Sequence, residues 1–146
     1  MAQDPPHIEN HIKVSAALII QGDRIFIAQR PPHKAHALYW EFPGGKTEPG
    51  ESPEECLRRE IWEELRLRVH VGDLFKHVHY HHKDHHIDLY AYWCSIEQGE
   101  LELREHEACY WARVDELQCF QFTQADRQVV GCLEGFHRLP YLGTCH

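Results

Sequence analysis

The chain has 146 residues, 42% of them hydrophobic and 26% charged, with a formal net charge of −8. That is room for one domain with a real core and too little for two. The acidic balance disfavours a nucleic acid polymer as partner, no apolar run approaches the roughly 20 residues of a membrane span, and the opening MAQDPPHIENHIK lacks the features of a signal peptide. A cytoplasmic protein is expected, and a small anionic substrate stays compatible if cations bridge it to the carboxylates. The six cysteines (Cys56, Cys94, Cys109, Cys119, Cys132, Cys145) form no C-x-x-C pair and read as reduced thiols.

In chain order, KVSAALII (13–20) and RIFIAQR (24–30) are β-branched and apolar around Gln21-Gly22-Asp23, the pattern of a hairpin. Residues 31–40 read as a loop and 41–55, dense in Gly, Pro and Glu, as a long irregular one. A helix follows. Ser52 suits its N-cap, Pro53 its first position, and Glu55 completes a capping box. Leu57, Ile61 and Leu65 recur at i,i+4 as its buried stripe. RVHVGDLFKHVHYHH (68–82) and HIDLYAYWCSIEQ (86–98) predict two long strands, and ACYWARVDEL (108–117) a strand end with a turn or short helix. A last helix is predicted over 123–136 with Thr123 as N-cap. The mixture predicts one α/β domain over residues 1–146, with a leader at 1–11 and a tail at 137–146 as irregular ends.

On the first helix, Glu60, Glu63 and Glu64 fall within about 100° of arc. Like charges so close repel. A solvated acidic face is the plain explanation; the other is a hard cation, Mg²⁺ or Mn²⁺, which takes oxygen ligands of this kind.

The stretch from Gly45, GKTEPGESPEECLRREIWEELRL, resembles the Nudix box, G-x5-E-x7-R-E-U-x-E-E-x-G-U with U apolar. Every position matches except the last glycine, which is Arg66 here. AALII, FIAQR, WEFPGGK and Glu105 six residues before Trp111 extend the likeness, over residues 12–135, to the MutT branch of that family. The resemblance implies an α/β/α sandwich around a mixed curved sheet. It also implies water attack on a phosphorus of a nucleoside diphosphate derivative, and in the MutT branch release of a monophosphate and pyrophosphate.

By the same resemblance, Glu60, Glu63 and Glu64 are metal ligands, Glu60 also orienting or deprotonating the water, and the Gly44 carbonyl adds a backbone ligand. Arg59 and Glu51 pair to hold the Gly45 loop on the helix. Glu105 matches a further metal ligand or base, with Glu102 and Glu107 as competitors in its loop. Arg30 matches a phosphate contact, a surface arginine being the alternative, and Phe42 falls among the substrate contacts. The implied cofactor is Mg²⁺, with Mn²⁺ a possible substitute; the implied partner is a nucleoside triphosphate, acted on by a monomer or homodimer. The expected role is sanitation of oxidised nucleotides such as 8-oxo-dGTP. CTP or modified-dCTP pyrophosphohydrolysis is the alternative, and a non-catalytic nucleotide-binding domain the rival from another class.

Base choice is expected from Asp126, where the MutT 8-oxoguanine enzyme has asparagine, and from His82 and His85, where it has an aromatic and an arginine. Asp126 can accept from guanine N1–H and its 2-amino group or from the cytosine amino group; alternatively Thr123-x-x-Asp126 only caps the helix. The run HVHYHHKDHH (77–86) suggests zinc by composition, but its spacing fits a polar strand and hairpin tip lining the substrate cleft better. Arg66 implies either a strained left-handed end to the helix or a helix that runs on.

Overall fold

The computed structural model describes residues 10–135 and 139–140, so most of the expected leader and tail lie outside the described residues. Strand β1 (Asn10–Gln21) turns at Gly22 into antiparallel β2 (Arg24–Gln29), as the hairpin reading predicts. Two short strands follow, β3 (Trp40–Glu41) on β2 and β4 (Gly44–Lys46) on β1. They lie within stretches expected to be irregular. Elements of two and three residues carry no periodicity of their own; neighbouring strands impose them.

Helix α1 (Pro53–Leu65) begins as the residues dictate. Ser52 Oγ accepts from the Glu55 N–H at 3.1 Å, and Glu55 Oε1 accepts from the Ser52 N–H at 2.8 Å. Such a cap is worth about 1 kcal/mol. Leu57, Ile61 and Leu65 are fully buried. The helix ends at Arg66, left-handed at φ 58° and ψ 33°, which makes the strained ending the correct one of the two expected. Its guanidinium lies over the Trp62 ring at 5.0 Å, beside that of Arg68 at 4.2 Å. Those contacts offset part of the cost of a left-handed non-glycine residue.

Strands β5 (Leu67–His82) and β6 (His85–Gly99) form the long antiparallel pair, and β6 also runs parallel to β1 from Asn10↔His85 to Ile19↔Cys94. Register shifts in β5 between Arg68 and Lys76 bend the sheet. Strand β7 (Ala108–Ala112) pairs with β2, a 3-10 turn covers Val114–Cys119, and α2 spans Gln124–Leu133, shorter than predicted. The path β3-β2-β1-β6-β5, with β4 on β1 and β7 on β2, is one mixed seven-stranded sheet.

Side chains of β1 alternate between the sheet's two faces. Ala17 and Ile19 pack with Leu57, Ile61 and Leu65 of α1, while Ala16 and Leu18 pack with Val129, Val130 and Leu133 of α2. The result is the expected α/β/α sandwich. Among the described residues no helix is long and apolar enough to cross a membrane.

Candidate functional site

Strand β4 brings the loop before α1 against β1, and glycine makes this possible. A Cβ on Gly44 would run into the Ser15 carbonyl oxygen, and one on Gly45 would lie 2.5 Å from Glu60 Cδ. The loop is then fastened to the helix by Arg59. Its Nε and Nη2 donate to the two Glu51 oxygens at 2.7 and 2.9 Å, and Nη2 reaches the Lys46 carbonyl at 3.2 Å. The Arg59 guanidinium, with the Glu48 N–H, holds the Glu51 carboxyl down at about 2. Arg59 and Glu51 thus pair as expected.

The same guanidinium serves the acidic face, Nη1 donating to Glu60 Oε2 at 2.9 Å and to Glu63 Oε1 at 3.4 Å. Glu64 receives no such help. It is 5% exposed, and its Oε1 is buried with no hydrogen-bond partner. Burial, the hydrogen bond with Glu60, and the charges of Glu60, Glu105 and Glu41 push its pKa well above the ordinary carboxylate range. Like carboxylates around an orphaned oxygen are a donor set that a hard cation satisfies. Among the described residues no three His, Cys, Asp or Glu side chains already form a finished metal site.

These groups open onto a cleft of about 440 Å³ lined by Arg30, Phe42, Gly44, Gly45, Glu60, Glu64, His82, Glu105 and Asp126, all singled out from the sequence. Glu63 and His85 are not part of its lining. Glu63 points along the exposed side of α1, half exposed. His85 starts β6 opposite His82, with a buried Nδ1 lacking a partner. Of the three glutamates competing in the loop before β7, Glu105 alone lines the cleft. Backbone bonds from Arg104 N–H to Glu64 O and from Glu107 N–H to Gln29 O, both 2.9 Å, bracket it, and Lys34 Nζ approaches its carboxylate to 3.4 Å.

At the other end, Asp126 is 6% exposed, and its Oδ2 accepts from the Phe42 N–H at 3.2 Å and from the Thr123 hydroxyl at 3.1 Å. The Thr123 N–H goes instead to Trp40 O, and the Thr123 side chain makes no capping bond. Asp126 therefore does not complete a capping box; it joins α2 to Phe42, in the segment between β3 and β4 that lines the cleft. Burial first, then the Glu41 charge, pushes its pKa up to about 8, against the pull of its two hydrogen bonds and of Arg30.

The histidine run divides between the sheet's faces, which corrects the expectation that it lines the cleft as a whole. Tyr80 and His82 line the cleft. His77 and His79 point to the opposite face, 2.7 and 3.0 Å from Asp88 Oδ1, with His11 3.2 Å from Oδ2. Although burial works upward, the bonds from His79 and His77 hold the Asp88 carboxyl at about 2.

Two cleft residues, Glu41 and His106, are not singled out from the sequence, although Glu41 stands inside the WEFPGGK stretch that carries part of the family likeness. Glu41 Oε1 accepts from Arg30 Nη1 and its Oε2 from His106 Nε2, both at 2.9 Å. Burial works upward, but the His106 bond and the Arg30 charge outweigh it and keep Glu41 below the usual carboxylate value. A partly buried glutamate and a histidine 65 positions apart leave no local pattern to read.

A family model described as the NUDIX domain matches residues 9–131. The chain is 35% identical to the CTP pyrophosphohydrolase of Escherichia coli (strain K12) over 128 residues, 88% of this chain and 93% of that protein. It is 32% identical to the 8-oxo-dGTP diphosphatase of the same strain over 114 residues, 78% of this chain and 88% of that one. The solution structure of the E. coli ORF135 protein matches with a TM-score of 0.78 at 31% identity, over 90% of this chain and 94% of that one. A MutT NUDIX hydrolase from Burkholderia pseudomallei gives 0.75 at 27% identity, over 84% and 98%. Fold, box and relatives agree, and the chain belongs to the Nudix hydrolase family.

Proposed function

We propose that the protein is a Mg²⁺-dependent pyrophosphohydrolase of nucleoside triphosphates, with Mn²⁺ a possible substitute, releasing a nucleoside monophosphate and pyrophosphate. An oxidised nucleotide such as 8-oxo-dGTP is its first substrate. The carrying observation is that one cleft joins an all-oxygen acidic wall, including the orphaned Glu64 Oε1, to an apolar end closed by Asp126. Glu60, Glu64, Glu105 and the Gly44 carbonyl would hold the cation, with Glu63 joining by rotation from the exposed side of α1. When bound, the cation neutralises phosphate oxygens and lowers the pKa of an attacking water.

The chain's own groups do the rest. Glu60, kept in place by Arg59, accepts a proton from the attacking water and orients it. Arg30, fixed by Glu41, offers its guanidinium to the phosphates. Positioning and electrostatics of this kind carry most of phosphoryl-transfer catalysis. Phe42 walls the base and Asp126 reads its edge, with His82 at the rim. We also take residues 1–146 as a single Nudix domain, monomeric or homodimeric, that meets the nucleotide pool in the cytoplasm.

A cytosine-type substrate, CTP or a modified dCTP, is the second reading. Asp126 favours it: a neutral carboxyl donates to cytosine N3 and accepts from its amino group, whereas a carboxylate suits guanine N1–H and its 2-amino group. The test is a screen of dNTPs, 8-oxo-dGTP, CTP and 5-substituted dCTP with Mg²⁺, scored by kcat/KM and pyrophosphate release. No turnover of any of them would end the enzymatic reading in favour of a nucleotide-binding domain.

A further inference from the structure

We propose that His106 is a positioning residue joining the two sides of the cleft: it holds Arg30 through Glu41 on the phosphate side and roots Glu105 on the carboxylate side. The inference rests on the function proposed for this cleft. Its side chain is 3% exposed, so its orientation is set by contacts rather than solvent. Glu41, a carboxylate, only accepts, which makes Nε2 the protonated nitrogen. That N–H donates to Glu41 Oε2 at 2.9 Å and lies 3.9 Å from Glu64 Oε1. The other Glu41 oxygen takes Arg30 Nη1, while Arg30 Nε donates to the Ala35 carbonyl at 2.8 Å. A bond at each end of the guanidinium leaves it one orientation.

The second link is the chain itself. Glu105 immediately precedes His106 in a loop whose backbone is tied to Glu64 O on one side and Gln29 O on the other. With its buried ring held by the Glu41 bond and set beside Glu64, His106 fixes where the Glu105 carboxylate starts from. A residue kept for packing alone would not be a histidine, because Nδ1 is buried without a hydrogen-bond partner and so costs stability. An aliphatic side chain of similar size would avoid that cost. The Nε2–H contact is what the imidazole provides in return.

The test compares His106→Gln, which keeps an N–H within reach of Glu41, with His106→Leu, which keeps bulk and loses the donor. Three quantities are read: Mn²⁺ affinity of the protein without nucleotide by paramagnetic resonance, KM and kcat separately, and the urea midpoint. His106→Leu is expected to raise KM about tenfold, the order of one charge-assisted hydrogen bond, and to weaken Mn²⁺ several-fold. His106→Gln should restore both to within about threefold of wild type by the same bond. Wild-type KM and Mn²⁺ affinity in a folded Leu variant would overturn the proposal, as would equal losses in Gln and Leu. If the Leu variant does not fold, His106→Asn, too short to reach Glu41, takes its place under the same criteria. The Mn²⁺ comparison needs no substrate, so an inactive wild type would count against the proposed function and not against the role of His106.

Discussion

Asp126→Asn separates the stability role of this side chain from its role in base choice. Its carboxyl ordinarily titrates at 3.8 and in the fold is pushed up to about 8. Between those values the folded protein holds a proton that the unfolded chain has lost, so stability falls as pH rises, by about 1.4 kcal/mol per pH unit. The loss begins near the unfolded value and ends near the folded one. From pH 5 to 7 it amounts to roughly 3 kcal/mol. Asparagine has no proton to lose, and its carbonyl oxygen can still accept from the Phe42 N–H and the Thr123 hydroxyl, as Oδ2 does now. The variant should therefore gain on wild type by 2–3 kcal/mol over that range, roughly 10 °C in Tm for a chain of this size. Urea unfolding of both proteins at pH 5, 6, 7 and 8 cancels every other titrating group. A difference that stays constant within about 0.5 kcal/mol would mean that Asp126 is ionised throughout, refuting the burial argument.

Glu60→Gln should remove most Mg²⁺-dependent pyrophosphate release with an unchanged circular dichroism spectrum; turnover near wild type would sink its role as base. Gly45→Ala should lower kcat more than tenfold, because the new Cβ, 2.5 Å from Glu60 Cδ, must displace that carboxylate; an unchanged kcat would disprove the close approach. Arg66→Gly should stabilise by at most about 1 kcal/mol in urea, since glycine accepts φ 58° without strain but gives up the Arg66 contacts with Trp62, and activity should be unaffected. If ionised Asp126 reads guanine, the kcat/KM ratio of guanine to cytosine substrates should rise with pH as the carboxyl titrates near 8. A flat ratio would remove Asp126 from base choice.

The parts of this molecule that were legible in sequence are those whose determinants are local. Ser52, Pro53 and Glu55 mark the start of α1 because a cap is a contact over three residues, and Leu57, Ile61 and Leu65 mark its buried side by helical spacing. The Glu51–Arg59 pair was readable because the box fixes both partners within one short stretch. Strands β3 and β4 were not, since their register comes from β2 and β1. The histidine run misled for a related reason. Composition does not say which face a strand turns to the cleft, and alternation gave His82 to it while His77 and His79 went to Asp88 behind it. His106 and Glu41 lie furthest beyond reach, because their meaning exists only once β3 and the loop before β7 converge.

Strand β1 makes one more property of the molecule readable. Ile12, Val14 and Ala16 face the cleft, while Ala17 and Ile19 lie under α1, so neighbouring positions answer to different demands. A saturation scan along 12–19, scored in parallel for nucleotide turnover and for abundance, should separate two sets of positions. Ile12 and Val14, partly buried in the cleft wall, would move turnover at near-normal abundance, whereas Ala17 and Ile19 under α1, and Leu18 packed on α2, would move abundance first. Evolution could then retune what this enzyme accepts by substituting Ile12 and Val14 of one strand, leaving the helix that carries its carboxylates undisturbed.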